Sequence, residues 1–115
     1  MAQLTKESEI LQRDAILAEI VRRLAERFQP ECIYLFGSEA RGEAGEHSDY
    51  DLMMIVSHST LPQYRRDQEA FRTLFGVGAS KDILVLTRNE FNQKQKVVCS
   101  LPATIAREGI LLYAA

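Results

Sequence analysis

The stretch "YLFGSEARGEAGEHSDYDLMMIV", Tyr34 to Val56, holds two apolar runs separated by a polar segment, and its reading decides the fold. Cys32 to Phe36, "CIYLF", is short, β-branched and aromatic, and Gly37 closes it, so it reads as a buried strand. Asp51 to Val56, "DLMMIV", is apolar on both alternating faces, as a central strand covered on both sides must be. A short polar connection makes the two strands antiparallel neighbours. Asp49 and Asp51 lie two apart, so a strand presents both carboxylates on one face. Unpaired they repel, and burying them without a cation is costly, which leaves an exposed strand entry or a metal site.

Working outward, apolar residues at Ile10, Leu17, Val21, Leu24 and Phe28, widened by Ile16 and Ile20, predict an amphipathic helix from Thr5 to Phe28. Thr5 can cap its start, and Pro30 forces its end. "TLPQYRRDQEAFRTLFG" predicts a second helix, with Thr60 as cap, Pro62 in the first turn and Gly76 as stop. Tyr64, Phe71, Leu74 and Phe75 fall at helical spacing there, and the Tyr64/Phe71/Phe75 stripe is read as core, as is Tyr50. "DILVLT", Asp82 to Thr87, predicts a third strand, parallel to the second because a helix connects them. Asn89 is expected to cap a third helix of about ten residues running to Val97 and Val98. Pro102 restarts the chain in a short helix to Glu108, Gly109 ends it, and "ILLY" makes a last strand. The order α-β-β-α-β-α-α-β predicts an α/β (α+β) fold, a small mixed β-sheet with packed helices, as one domain over residues 1–115.

That topology brings chemistry together. Asp82 opens the third strand as Asp49 and Asp51 open the second, so parallel strands place all three carboxylates at one end of the sheet. The first strand runs the other way, and its exit residues Gly37 and Ser38 arrive at the same end. Carboxylate oxygens suit Mg²⁺, which completes its shell with water and substrate phosphate. Two such ions about 4 Å apart would clamp an in-line displacement at phosphorus. Gly37 lets phosphate approach the backbone, and the following N–H groups with the Ser38 hydroxyl can donate to it. Asp49 and Asp51 would then hold metal and nucleotide phosphates, while Asp82 completes a second metal site and orients or deprotonates an attacking hydroxyl.

Composition narrows the partners. Fourteen basic and 16 acidic residues give a formal charge of −2, mixed along the chain, with no basic stripe for nucleic acid. The N-terminus lacks a signal-peptide layout and no apolar run approaches the roughly 20 residues of a membrane span, so a cytoplasmic protein without membrane contact is expected. Cys32 and Cys99 lack metal spacing and read as buried small hydrophobes. His47 and His58 read as loop residues, Ser48 as a brace for Asp49, and "GVGASK", Gly76 to Lys81, as a helix stop and turn.

Gly37-Ser38, the ten residues Glu39 to Ser48, and Asp49-Tyr50-Asp51 resemble the GS-x10-DxD signature of the nucleotidyltransferase superfamily with the polymerase β-like fold. The likeness is nearest to the minimal nucleotidyltransferases (MNT), covers the chain from Ala18 onward, and includes "KDILVLTRNEF" and "AREGILLY". It implies Asp49, Asp51 and Asp82 as catalytic, metal-holding residues, Gly37, Ser38 and Arg41 as nucleotide-binding residues, ATP as substrate, and two Mg²⁺ ions. It also implies an antitoxin that transfers AMP to a tyrosine hydroxyl of a HEPN-type ribonuclease toxin and silences it. The chain ends after the minimal domain, which agrees with a partner protein supplying the acceptor. The alternatives are a non-catalytic antitoxin that covers its partner, and transfer to tRNA. One residue departs from the family pattern: Lys81 stands where an apolar residue usually precedes the third Asp, so tilting of Asp82 or its pairing with Lys81 is expected to weaken activity.

Overall fold

The computed structural model describes residues 14–36, 50–78, 81–97 and 101–115. Its elements are α1 (Ala15–Phe28), β1 (Cys32–Phe36), β2 (Tyr50–Val56), α2 (Gln63–Thr73), β3 (Lys81–Thr87), α3 (Arg88–Gln95), α4 (Leu101–Glu108) and β4 (Ile110–Ala114). Among the described residues the predicted order is the observed one.

The four strands lie in the order β3-β2-β1-β4. β1 is antiparallel to β2 and to β4, while β2 and β3 are parallel, joined through α2. β2 is therefore internal, and its apolar residues are shared between two cores. Leu52, Met54 and Val56 join Ile33, Leu35 and Val85 beneath α1 and α2. Met53 and Ile55 join Leu86, Phe91 and Ile105 beneath α3 and α4. Leu52, Met53, Met54 and Ile55 are all at 0% exposure, and burying such side chains stabilises the fold by about 1.5–3 kcal/mol each. An unbroken apolar run is what a strand buried on both faces requires.

Helix boundaries differ from the sequence expectation where side-chain caps decide them. α1 begins after Asp14, whose backbone is extended (φ −122°, ψ 96°) and whose carboxylate accepts the Leu17 N–H at 3.0 Å. The expected cap Thr5 lies outside the described residues. α1 ends at Gln29, in the left-handed region (φ 48°), ahead of Pro30. The N-cap of α3 is Thr87, two residues before the expected Asn89, because Thr87 and Glu90 form a reciprocal capping box. Val97 stands beyond its end, exposed. Pro62 is itself the N-cap of α2 and makes no side-chain cap bond.

α2 also turns a different face to the sheet. Arg66, Ala70 and Leu74, spaced four apart, are buried, whereas Tyr64, Phe71 and Phe75 are 65%, 56% and 89% exposed. The aromatic spacing was a genuine helical stripe on the outer side. Ala70 allows close approach to the sheet, and Arg66 is accommodated because its guanidinium is paired: it donates to Leu61 O, Val85 O and both oxygens of Glu90. Gly76, at φ +89°, then reverses the chain as expected of that turn.

Candidate functional site

β2 and β3 run in register from Tyr50 opposite Lys81 to Val56 opposite Thr87, so Asp51 and Asp82 are partners across the parallel pair. Neighbouring strands lie about 4.8 Å apart, which brings the two carboxylates to one end of the sheet. On the other side, Phe36 pairs with Asp51, so the chain leaves β1 at that same end. By strand alternation Asp51 shares the face of Met53 and Ile55, and Asp82 that of Leu84 and Leu86. Asp51 is half-buried and Asp82 exposed. Gly37, Ser38, Arg41, His47, Ser48 and Asp49 lie outside the described residues, as does Cys99.

Two carboxylates on adjacent strands supply hard oxygen donors and fit a Mg²⁺ ion, which takes one or two of them. Among the described residues no group of three His, Cys, Asp or Glu side chains is arranged to hold a metal. Asp49, two residues before Asp51, is the candidate for a third.

Lys81 does not stand over Asp82. Successive residues of a strand project to opposite faces, and Lys81 shares the face of Ile83 and Val85. Its ammonium donates to Val77 O at 3.2 Å and lies 5.5 Å from the Phe71 ring centroid. Phe71, read from sequence as core, thus gives the cation a place on the far side of the sheet from Asp82.

Three residues that sequence reasoning passed over hold this end in place. Asp14 caps α1 with one carboxylate oxygen and accepts the Tyr50 hydroxyl with the other at 2.6 Å. The first helix is thereby tied to the residue between Asp49 and Asp51. A carboxylate just ahead of an apolar-periodic run was the available signal for the cap. Arg66 and Asp67 of α2 close the outer edge of β3: the Val85 N–H donates to Asp67 Oδ1 at 2.9 Å, and Val85 O accepts from Arg66 at 3.0 Å. The Arg66 guanidinium holds the Glu90 carboxyl down to about 2. Burial pushes the Asp67 carboxyl up, partly offset by the Val85 N–H. No periodicity announces such contacts, because they join residues 18 and 24 apart in sequence.

Away from this end, Cys32 is buried and unbridged, with its thiol pushed up by burial. His58 is exposed in the loop after β2. No helix among the described residues is long and apolar enough to cross a membrane.

Comparison with known proteins agrees with this fold. No curated protein sequence matches the chain. A putative nucleotidyltransferase from Sulfolobus solfataricus is similar in structure, with a TM-score of 0.63 and 23% identity over 99% of this chain and 92% of the other. A toxin-antitoxin complex with AMP-PNP matches with a TM-score of 0.55 and 19% identity, over 85% of this chain and 73% of that one. A mutant of the toxin-antitoxin pair MntA-HpeT matches with a TM-score of 0.56 and 20% identity, over 86% and 72%. These likenesses carry the fold. The family described as "Polymerase beta, Nucleotidyltransferase" matches residues 18–114. With its parallel carboxylate-bearing strands and nearly its whole length inside that match, the chain belongs to the polymerase β nucleotidyltransferase family.

Proposed function

We propose that the protein is an Mg²⁺-dependent adenylyltransferase that moves AMP from ATP to a tyrosine hydroxyl of a HEPN-type toxin and so acts as its antitoxin. The observation that carries the reading is the register of Asp51 with Asp82, at the end of the sheet where β1 exits toward Gly37 and Ser38. Two similar structures are toxin-antitoxin complexes, one of them holding AMP-PNP, which supports both a nucleotide and a protein partner.

In this reading Asp49, Asp51 and Asp82 would hold Mg²⁺. Bound there, the ion supplies charge neutralisation for the phosphates and for the leaving pyrophosphate. Gly37 and Ser38 cradle phosphate oxygens through backbone N–H groups and the hydroxyl, and Arg41 reaches a phosphate. Asp82, exposed at its strand start, meets the acceptor. It orients the hydroxyl and takes its proton as the oxygen bonds to the α-phosphorus. The bond from that phosphorus to the bridging oxygen breaks, and pyrophosphate leaves.

The test is incubation of the protein with α-labelled ATP, Mg²⁺ and the product of the neighbouring reading frame. Wild type labels that partner, and Asp51→Asn and Asp82→Asn do not. A stable Asp51→Asn protein that still protects cells would favour neutralisation by covering instead. Label entering purified tRNA rather than the partner would move the acceptor to nucleic acid.

A further inference from the structure

β3 is an edge strand, and its edge is closed over only part of its length. Val85 turns both its N–H and its C=O outward, where Asp67 and Arg66 satisfy them, and the Thr87 N–H donates to Glu90 at 2.9 Å. By the alternation of a strand, Ile83 turns its N–H and C=O outward as well. No side chain among the described residues hydrogen-bonds them, and α2 leaves a groove of about 470 Å³ beside them. Asp67, Gln68, Phe71, Arg72, Asp82 and Ile83 line it. One end of this groove is therefore a candidate catalytic carboxylate.

We propose that this open part of the β3 edge takes an extended segment of the acceptor protein as an added strand; the idea rests on the transferase reading and adds to it how the acceptor is held. The chemistry identifies the occupant. Outward N–H and C=O groups of one residue are matched by the C=O and N–H of one residue in an extended chain that runs antiparallel to β3. The residue that bonds Ile83 sets its side chain on the face of Ile83 and Phe71, where the half-exposed ring gives an apolar contact. Its neighbour in the segment then points to the opposite face, that of Asp82. A hydroxyl residue adjacent to an apolar one is thus delivered to the carboxylate by register alone. The seal at Val85 and Thr87 stops the segment from sliding along the edge.

The probes are fluorescein-labelled hexapeptides centred on Val-Tyr-Val, Val-Ser-Val or Val-Thr-Val, each also made with N-methyl groups on one or the other alternating set of backbone nitrogens. Anisotropy with the full chain should show binding that one N-methyl set weakens at least tenfold and the other changes less than twofold. Amide exchange at Ile83 should slow at least tenfold on adding peptide. Ile83→Pro removes only the outward N–H and should weaken binding tenfold; Phe71→Ala, at an exposed site, should weaken it severalfold and serves if the proline variant does not fold. No binding by any peptide, equal effects of the two N-methyl sets, or unchanged exchange at Ile83 overturns the proposal. So does a dimer in light scattering that peptide fails to disperse, which gives the edge to a second copy. A peptide that binds in this way but takes no label from α-labelled ATP defeats the transferase reading and leaves the docking mode; label that enters peptides regardless of N-methylation does the reverse.

Discussion

Replacing Arg66 with Met should destabilise the fold by about 3 kcal/mol, and the structure says why. The residue is 7% exposed, and its side chain makes four hydrogen bonds, to Leu61 O and Val85 O at 3.0 Å each and to the two Glu90 oxygens at 2.8 and 3.0 Å. Methionine fills much of the volume, so packing is nearly conserved. What is lost is pairing. An orphaned buried carbonyl costs about 1–3 kcal/mol, and loss of charge-assisted bonds to a carboxylate about 1.5–3 kcal/mol. The second figure is taken at its low end, because the Glu90 side chain is 36% exposed and water can replace part of the interaction. For a chain of this size about 3 kcal/mol corresponds to a Tm lower by roughly 12 °C. Urea and thermal unfolding followed by circular dichroism measure it. A double-mutant cycle with Glu90→Gln separates the ion pair from the carbonyl contact. The pH dependence carries its own sign: the Glu90 carboxyl lies below its ordinary value, at about 2, so its contribution is full above the ordinary carboxylate range and fades as pH falls toward 2. The gap between wild type and Arg66→Met should narrow over that window. A loss under about 0.5 kcal/mol at neutral pH, or a gap that widens with acid, would refute the argument.

Tyr50→Phe removes the hydroxyl that donates to Asp14 and should cost about 1–2 kcal/mol in chemical unfolding; Asp14→Ala should cost about 1 kcal/mol more, because it also uncaps α1. At Gly109 an added Cβ would stand 2.7 Å from Ile105 O and 2.9 Å from Ile105 Cγ2, so Gly109→Ala should lower stability by about 1–3 kcal/mol, read from the thermal midpoint. Burial raises the Asp67 carboxyl, so ionising it works against the folded state and that cost grows as pH rises through its folded pKa. Asp67→Asn keeps an oxygen for the Val85 N–H and should be at least as stable as wild type at neutral pH, whereas Asp67→Ala should lose about 1 kcal/mol.

How far the sequence could be read follows from what each feature depends on. The sheet was legible because Leu52 to Val56 alternate between two buried faces with no polar interruption, and only an internal strand makes that pattern cheap. The meeting of Asp51 and Asp82 was legible too, since helix-linked strands run parallel and each Asp opens its strand. α2 was legible as a helix but not in its orientation. Its aromatic stripe and its Arg66-Ala70-Leu74 stripe share one period, and hydrophobicity favoured the wrong one. The choice was made by partners that lie far along the chain, the Val85 carbonyl and Glu90 for Arg66, and Lys81 for Phe71. Caps were missed for a related reason. Asn89 and Thr87 are both competent N-caps, and Thr87 wins because Glu90 stands three residues after it and returns a bond to its N–H.

The same distribution of polar contacts explains why a carboxylate can sit at the start of an edge strand and remain available. β3 needs its outer edge covered to avoid pairing at random, and α2 supplies that cover from Arg66 and Asp67. Had the cover extended one residue pair further toward Asp82, the strand would be protected throughout and its carboxylate hemmed in. It stops at Val85 instead, while Lys81 is drawn to Phe71 and Val77 on the opposite face. Cover and opening are thus divided along a single strand: the half beyond Val85 is sealed by α2 and Glu90 and anchors the element, and the half at Ile83 and Asp82 is left beside an open groove.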